Sequence, residues 1–343
     1  MVYLDNAATT VCKLPASAYD DIWGNANTPY KFGLNAKRAA DECREKVKEC
    51  LGVKGGKVIF CSNASEAAKI LCDRFQAHGI VTACSPYEHD SVYDLVDTEG
   101  YQFVRYSNGI AIFQQWVNPV TGIAFDIRSI RQALGNYCFL CMDATAGIGK
   151  IELEQEIADS IDAMWFSGHK FHGPKTGGIL WISDRLSKAL YLSDDSRNEY
   201  GLKHGTLDVP SFMATTYALD EAVTQEIDNV AHYAELNNYL SNRAGNKIVI
   251  SNPYTQGQID ATVLIDTGCN ADTLVQYLSS KGIYVSLAHS ACSADADYRV
   301  TQAFGISKET AERCIRVSFS EDSTFEDIDA LVNGIKEFKE KFV

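Results

Sequence analysis

Apolar residues recur along the chain with two different spacings. From Ala36 to Leu51 they are three or four positions apart, and Gly52 ends the run. This spacing predicts an amphipathic helix with one buried stripe. Shorter apolar runs occupy residues 57–61, 80–84, 101–106, 110–117, 137–143, 163–167 and 178–182. Because apolarity in these runs is continuous rather than alternating, we interpret them as strands covered on both faces in a mostly parallel α/β sheet.

The pattern changes after about Glu221. A long helical stretch continues to Tyr239, and strand-like runs follow at residues 262–266, 283–286 and 315–319. The chain closes with an amphipathic helix from Phe325, preceded by a capping box in which Ser323 pairs with Glu326. The pattern therefore predicts a large α/β domain followed by a smaller α+β domain.

Composition and charge narrow the class of protein. A chain of 343 residues is long enough for roughly two domains at about 150 residues each. Its 31 basic and 45 acidic side chains give a net charge of −14, which disfavours binding to nucleic acids and to anionic membranes. No basic leader with an apolar core follows Met1, and no run of about 18 apolar residues occurs. We therefore expect a cytoplasmic protein.

The eleven cysteines are an odd number, and most lie in apolar runs. We expect reduced, buried thiols. Cys138 and Cys141 have the spacing of a redox or metal-binding pair. They lie within one strand-like run, however, where side chains alternate between faces, and no second pair follows. No metal site is therefore predicted.

A glycine-rich stretch after the run 163–167 contains Lys170 beside Ser167 and His169. A lysine at the end of a strand lies where α/β sheets bind ligands. Its chemistry leaves three alternatives open. The lysine can form a Schiff base, clamp a phosphate or belong to a charged surface loop.

Two other segments have related chemistry. Asp143 ends the apolar run 137–142, and a carboxylate there can keep a pyridinium nitrogen protonated, cap a helix or accept a structural hydrogen bond. Asn63 opens a helix with Glu66 three residues later. Its free N–H groups and the Ser65 hydroxyl can bind a phosphate, although the segment taken alone is equally a capping box.

In this order, these segments resemble the fold-type I pyridoxal phosphate enzymes of the class V aminotransferase group, and more narrowly the cysteine desulfurases. The resemblance extends from residues 3–10 to the strand at 314–318, essentially end to end. It implies a large PLP-transferase-like domain, residues 15–232, with a mostly parallel mixed sheet. It also implies a smaller α+β domain formed by residues 1–14 with 233–343, a homodimer, and pyridoxal 5'-phosphate as cofactor.

The resemblance assigns roles around the cofactor. Lys170 would carry it and move the substrate Cα proton, Asp143 would pair with the pyridinium nitrogen, and His89 would stack on the ring and shuttle a proton. Thr206 would reach the phosphate of the neighbouring subunit. The remaining predicted cofactor contacts are Asn63, Ala64, Ser65, Ser167 and His169.

The resemblance also implies a substrate and a reaction. Arg316 would hold the carboxylate of L-cysteine, with Asn118 and Asn6 nearby. Cys292 lies in a small, polar stretch suited to an ionised thiol. As a thiolate it would attack the substrate sulfur, which leaves a persulfide on the enzyme and releases L-alanine. A sulfur-acceptor protein, for example in iron–sulfur cluster biosynthesis, would then take the sulfur.

Two positions depart from the family pattern. Ala146 stands where a glutamine usually bonds the cofactor, and Pro119 stands where an asparagine is usual, with Asn118 as the candidate substitute. These departures leave two alternatives. One is a different class V reaction, such as transamination, selenocysteine cleavage or β-elimination, in which Cys292 is incidental. The other is a catalytically weakened scaffold that keeps the fold.

Overall fold

The computed structural model describes residues 2–7, 22, 24–96, 109–193, 197–244, 247–248, 255–289 and 298–342. The chain divides into two compact units. The larger unit comprises Val11–Trp116 and Asp126–Thr224. The smaller unit comprises Met1–Thr10, Val117–Phe125 and Gln225–Val343. Residues 117–125 thus belong to the smaller unit although the chain on both sides of them belongs to the larger one.

Both units contain helices and strands. The described strands are β1 (Val2–Tyr3), β2 (Lys57–Cys61), β3 (Val81–Cys84), β4 (Ile110–Gln115), β5 (Ile123–Phe125), β6 (Cys138–Asp143), β7 (Ala163–Ser167), β8 (Gly178–Ile182), β9 (Thr255–Gln258), β10 (Thr262–Asp266), β11 (Ile283–Tyr284), β12 (Ser286–Leu287) and β13 (Cys314–Ser318). The described helices are α1 (Lys31–Cys50), α2 (Ala64–Ala77), α3 (Asp90–Tyr93), α4 (Ile127–Leu134), α5 (Gln155–Ala158), α6 (Asp184–Ala189), α7 (Arg197–Tyr200), α8 (Val209–Thr224), α9 (Glu226–Ala244), α10 (Ala271–Ser280), α11 (Arg299–Ala303), α12 (Lys308–Ala311) and α13 (Phe325–Phe342).

The larger unit is built on a six-stranded sheet with the order β2-β8-β7-β6-β4-β3. β3, β4, β6 and β7 are parallel to one another, whereas β8 runs antiparallel to both β7 and β2. The central strands are buried along almost their whole length, because helices cover both faces of such a sheet. The prediction of an α/β fold with a mostly parallel mixed sheet is confirmed.

Helices of the larger unit pack their apolar stripes as the spacing predicts. The buried stripe of α1 contains Ala36, Ala40, Cys43 and Val47, and this helix packs against α8. On the sheet, Phe75 of α2 contacts a core that includes Phe113 and Trp165.

The smaller unit combines short sheets with long helices. β10, β13 and β12 form an antiparallel sheet in that order. β1 pairs with β11 in parallel, and β5 pairs with β9 in antiparallel orientation. α13 packs against α9 and α10. Among the helices of the described residues, none is both long and apolar enough to cross a membrane.

The structure differs from two sequence predictions, and a third concerns residues that it does not describe. The capping box of α13 is formed by Thr324 and Asp327, which exchange hydrogen bonds of 3.0 and 3.2 Å, so the predicted pair one residue earlier is wrong. The predicted helix through Tyr239 is two helices, because α8 ends at Thr224 and α9 begins at Glu226. The strand predicted at 101–106 lies outside the described residues.

The cysteines agree with expectation where the structure describes them. Nine are free thiols, and each is buried or half-buried. Cys138 and Cys141 are buried on the same strand, three positions apart, which places their side chains on opposite faces of the sheet.

Candidate active site

β6 ends at Asp143 between its parallel neighbours β4 and β7. Asp143 is buried, and its carboxylate accepts a hydrogen bond of 2.9 Å from the main-chain N–H of Thr145. Burial raises the pKa of Asp143, while Thr145 and the positive charges of His89 and Lys170 act in the opposite direction. His89 and Lys170 therefore lie within electrostatic range of the carboxylate. The structure thus brings together three residues that the sequence predicts to act together.

His89 precedes α3 as its N-cap residue. Its Nδ1 accepts a hydrogen bond of 3.1 Å from the Ser91 main-chain N–H and lies 2.9 Å from the Ser91 hydroxyl. Because an accepting ring nitrogen carries no hydrogen, the neutral ring has its hydrogen on Nε2. Glu88, just before it, is fully buried and accepts a hydrogen bond from the Gln115 main-chain N–H, which ties this turn to β4.

Lys170 ends a short 3-10 turn that follows β7 directly. Ser167, the last residue of β7, is buried, and its hydroxyl lies 3.5 Å from the carbonyl oxygen of Gly177. The main-chain N–H of Gly168 donates to the same oxygen at 2.6 Å. These contacts hold the turn, and with it the half-buried Lys170, against the start of β8.

The N-terminus of α2 presents free donors. Asn63 caps this helix by accepting a hydrogen bond of 2.9 Å from the Glu66 main-chain N–H. The N–H groups of Ala64 and Ser65 have no acceptor within the described parts of the chain. A Cβ at Gly178 would lie 2.6 Å from the main-chain carbon of Asn63, so only glycine allows β8 to pass so close. Free donors and the helix dipole together favour an anion here.

Positive charge is concentrated around His169. Burial, together with the charges of Lys170, Lys175 and Lys150, lowers the pKa of this imidazole to about 4. Lys150 is itself buried, and its ammonium donates a hydrogen bond of 3.1 Å to the main-chain carbonyl of Lys170. Lys150 was not among the site residues predicted from sequence. The available signal is a lysine in a turn whose other residues, 144–151, are small or apolar.

Arg316 lies in the smaller unit, on the central strand β13, and is fully buried. Its guanidinium donates hydrogen bonds to Asp5 at 2.8 Å and to the carbonyl oxygen of Pro119 at 3.0 Å, whereas its Nε has no hydrogen-bond partner among the residues that the structure describes. Asp5 also accepts a hydrogen bond of 2.7 Å from the Ser286 hydroxyl. Arg316 and Asp5 therefore form a largely buried ion pair, and Asp5 is a functional candidate that the sequence pattern alone does not single out. Its position in the opening motif is the only local signal.

The two predicted asparagines near the substrate carboxylate are both buried in the smaller unit. The side-chain oxygen of Asn118 accepts hydrogen bonds from the main-chain N–H groups of Val120 and Thr121 at 3.0 and 2.9 Å. Asn6 donates to the carbonyl oxygens of Tyr3 and Ser318 at 3.4 and 3.3 Å. These contacts shape the local turns, and a role toward substrate stays a prediction.

Thr206 and Cys292 complete the predicted site residues. Thr206 is exposed between α7 and α8, directly after Gly205, which has a φ of +113°. Cys292 lies outside the described residues. The remaining candidates therefore form two groups, one around Lys170 and Asp143 in the larger unit and one around Arg316 in the smaller unit.

Comparison with known proteins decides the family. The model of the class V aminotransferases matches residues 2–105 and 104–331. The chain belongs to the class V aminotransferase family. Members of this family are pyridoxal phosphate-dependent enzymes.

Individual relatives extend along nearly the whole class V chain. A protein of Buchnera aphidicola subsp. Acyrthosiphon pisum, named cysteine desulfurase IscS, is 28% identical over 365 residues, covering 95% of this chain and 90% of the relative. A Klebsiella pneumoniae protein of the same name is 26% identical, covering 98% and 92%. A solved structure titled NifS-like protein superposes with a TM-score of 0.82 at 24% identity, covering 99% of both chains. The structural match supports the fold.

The larger unit of this class V enzyme has a donor set that fits pyridoxal phosphate. The buried Asp143 carboxylate suits a protonated pyridine nitrogen, because a cationic partner offsets the cost of burying a charge. The free N–H groups of Ala64 and Ser65, with the positive charges near His169, suit a phosphate. The amine of Lys170 suits an aldehyde. The residues present therefore fit the cofactor of the family.

Proposed function

We propose that this class V enzyme is a cysteine desulfurase, which converts L-cysteine to L-alanine and transfers the sulfur to Cys292. The observation that carries the proposal is the grouping of His89 and Lys170 within electrostatic range of the buried Asp143 carboxylate. This group combines a nucleophilic amine, a carboxylate and a proton-exchanging imidazole. The relatives named cysteine desulfurase support the choice of reaction within the family.

The residues of the larger unit would manage protons. Pyridoxal phosphate supplies an electron sink that stabilises negative charge at Cα of an attached amino acid. Asp143 would hold the proton on the pyridine nitrogen, and Lys170 would remove the proton from Cα. Because Nδ1 of His89 accepts from Ser91, its Nε2 is the atom that would exchange a proton with the substrate thiol.

The residues of the smaller unit would orient the substrate. Arg316 would bind the carboxylate of L-cysteine, since a guanidinium presents donors that match a carboxylate. Its ion pair with Asp5 and its bond to the Pro119 carbonyl fix the plane of the group, and the Nε, which has no partner among the described residues, leaves a donor for a ligand. Asn6 and Asn118 would contribute to the same subsite.

The sulfur would pass to Cys292. Its thiolate attacks the substrate sulfur, the S–S bond forms, and the Cβ–S bond breaks with its electron pair left on the substrate carbon, which takes up protons to become alanine. Burial raises the pKa of six described thiols, those of Cys43, Cys50, Cys61, Cys72, Cys141 and Cys314. A raised pKa disfavours the thiolate, which supports the assignment to the small, polar stretch around Cys292.

The assembly and partners belong to the same proposal. Thr206 is exposed, as a residue that reaches a neighbouring subunit must be in a single chain, so we propose a homodimer. A sulfur-acceptor protein would take the persulfide sulfur, with iron–sulfur cluster biosynthesis as one destination, and the protein would act in the cytoplasm.

A single-turnover experiment tests the function. The purified protein, loaded with pyridoxal phosphate, is incubated with L-cysteine without reductant, and the Cys292 peptide is analysed by mass spectrometry while alanine is assayed. We expect one added sulfur on Cys292 and an equal amount of alanine. Cys292→Ser is the matched control, which should form no persulfide, and Lys170→Ala should form neither product.

Two results would contradict the proposal. Cofactor binding without persulfide or alanine would indicate another class V substrate. Failure to bind pyridoxal phosphate would indicate a scaffold that keeps only the fold.

A further inference from the structure

Glu66 places a carboxylate at the end of α2 that presents the N–H groups of Ala64 and Ser65. It lies in the first turn of the helix and reaches back to Ser62, accepting hydrogen bonds from the main-chain N–H and, at 2.7 Å, from the hydroxyl of that residue. Burial acts to raise the pKa of Glu66, but the hydrogen bonds from Ser62 and Lys203 outweigh it and lower this pKa. The ionised side chain therefore repels an anion at the same helix end.

The ammonium of Lys203 lies against that carboxylate. Its Nζ donates a hydrogen bond of 2.9 Å to the same Glu66 oxygen that accepts from Ser62. The side chains of Lys203 and Glu66 are 27% and 31% exposed, so water screens this pair less than it screens a fully exposed one. The positive charge therefore offsets the negative charge that Glu66 brings to the start of α2.

The loop that carries Lys203 is held independently by Glu199. The Glu199 carboxylate is buried, accepts a hydrogen bond of 2.7 Å from the Phe60 main-chain N–H and forms an ion pair with Arg44. Phe60 belongs to β2, the strand that leads into α2. Residues 199 and 203 thus attach one short segment to β2 and α2 at two points. The position of the Lys203 ammonium therefore does not depend on its own ion pair alone.

We propose that Lys203 is a positioning residue for the phosphate of the cofactor, which acts by neutralising the Glu66 carboxylate at the start of α2. The proposal rests on the cofactor site of the proposed function and not on the choice of reaction. Glu66 holds Ser62 through its hydrogen bonds, yet its charge opposes the phosphate. Lys203 removes that electrostatic cost and leaves the hydrogen bonds intact. In this role Lys203 acts through Glu66 and does not touch the phosphate.

Two probes that differ only in the phosphate measure the effect. Pyridoxamine 5'-phosphate and pyridoxamine have no aldehyde, so neither forms a Schiff base with Lys170, and their binding to the full-length apoprotein needs no turnover. Isothermal titration calorimetry gives both Kd values. We expect Lys203→Met to raise the Kd of pyridoxamine 5'-phosphate about three- to tenfold, because one charge at a partly exposed site is left uncompensated. The Kd of pyridoxamine should stay within about twofold of wild type.

A double variant tests whether Lys203 acts through Glu66. Glu66→Gln removes the charge and keeps an oxygen for Ser62, so adding Lys203→Met to it should change the Kd of pyridoxamine 5'-phosphate by less than about twofold. Lys203→Arg keeps the positive charge and should bind both probes as wild type does. Lys69→Met is the matched control, because Lys69 pairs with Asp73 at 2.8 Å further along the same helix. It should leave both Kd values unchanged.

Three outcomes would overturn the proposal. An unchanged Kd of pyridoxamine 5'-phosphate in Lys203→Met would show that the ammonium does not aid phosphate binding. Equal weakening of both probes would indicate general damage to the fold. Equal weakening by Lys203→Met with Glu66 and with Gln at that position would mean that Lys203 contacts the phosphate directly. If the methionine variant does not fold, Lys203→Gln makes the same comparisons.

Failure of the underlying site gives a different result. If wild type bound both probes with the same Kd, the start of α2 would not hold the phosphate, and the cofactor site of the proposed function would be wrong. If the expected Kd changes were seen but Cys292 formed no persulfide, only the proposed reaction would be contradicted, and the role of Lys203 would be supported.

Discussion

At the scale of single residues, Lys150 and His169 show how burial and charge act together near Lys170. Lys150 is buried and bonds the main-chain carbonyl of Lys170 at 3.1 Å. Its charge is one of the causes that, after burial, lower the pKa of His169 to about 4. An imidazole kept neutral in this way can act as a hydrogen-bond donor or acceptor at neutral pH without adding charge. Lys150 thus bonds the main chain of one site residue and adds to the causes, led by burial, that keep another neutral.

Replacing Lys150 by methionine tests this coupling. Removing one positive charge should raise the pKa of His169 from about 4 toward its ordinary value of 6.5, measured by NMR titration of the ring. Lys188→Met, an exposed position on α6, is the control and should leave the pKa unchanged. No movement of the His169 pKa in Lys150→Met would contradict the coupling.

The lowered pKa of His169 also predicts how the free energy of unfolding depends on pH. Because the pKa of His169 is about 4 in the folded state and 6.5 in the unfolded state, the unfolded chain binds more protons between these values. The contribution of His169 to the free energy of unfolding should therefore be complete above about pH 6.5 and decline as the pH falls toward 4. Urea unfolding of wild type and of His169→Gln, repeated across this pH range, measures that contribution as the difference between their free energies of unfolding. If the free energy of unfolding declined equally in both proteins, titration of groups other than His169 would be responsible.

At the scale of elements, the helix caps show which capping residues a local sequence pattern identifies and which it leaves ambiguous. Asn63 caps α2 as its sequence predicts. At α13, Ser323 and Thr324 are both capping residue types, and Glu326 and Asp327 both lie three residues after one of them. The structure selects Thr324 and Asp327, because the Ser323 hydroxyl is buried and accepts the Ser320 main-chain N–H at 3.0 Å.

Two substitutions distinguish the capping pairs of α13. Thr324→Ala removes the observed cap and should lower the free energy of unfolding by about 0.5–2 kcal/mol. Glu326→Ala, at an exposed position, should change it by less than about 0.5 kcal/mol. Both are measured by urea denaturation. If Glu326→Ala lowered the free energy of unfolding more than Thr324→Ala, the capping pair predicted from sequence, Ser323 and Glu326, would be correct.

At the scale of the whole molecule, the proposed cofactor contacts all come from the larger unit. Apart from Thr206, which lies between α7 and α8, they lie at the ends of β6 and β7 and at the start of α2 and α3, which are distant in the chain and joined by the six-stranded sheet. A ligand that bridges these elements binds the folded state and has no site in the unfolded chain. Folding and cofactor binding should therefore be coupled.

Removing the cofactor tests that coupling. With free pyridoxal phosphate at a hundred times its Kd, the free energy of unfolding of the apoprotein should rise by about 2.7 kcal/mol. Pyridoxal at the same concentration is the matched control and should stabilise less, because it has no phosphate for the α2 N-terminus. Equal stabilisation by both compounds would mean that the start of α2 does not hold the phosphate.

The amino-acid sequence by itself determined the elements and much of the chemistry near Lys170. Continuous apolar runs marked the described strands of the large sheet, and the helical spacing marked α1 and α13. Asp143, Asn63 and Lys170 were predictable because each lies at the end of a strand or within three residues after it, where polar groups meet ligands in α/β folds. These signals are local, since burial and capping act within a few residues.

Only the tertiary structure decided the strand order, the reversed direction of β8 and the contacts between residues far apart in the chain. A short apolar run is compatible with either direction and with several neighbours, so pairing depends on how the whole sheet packs. The same holds for Asp5 against Arg316, Lys150 against Lys170 and Lys203 against Glu66. Nothing in the local pattern around any of these residues specifies its partner, because the contact exists only once distant segments have been brought together.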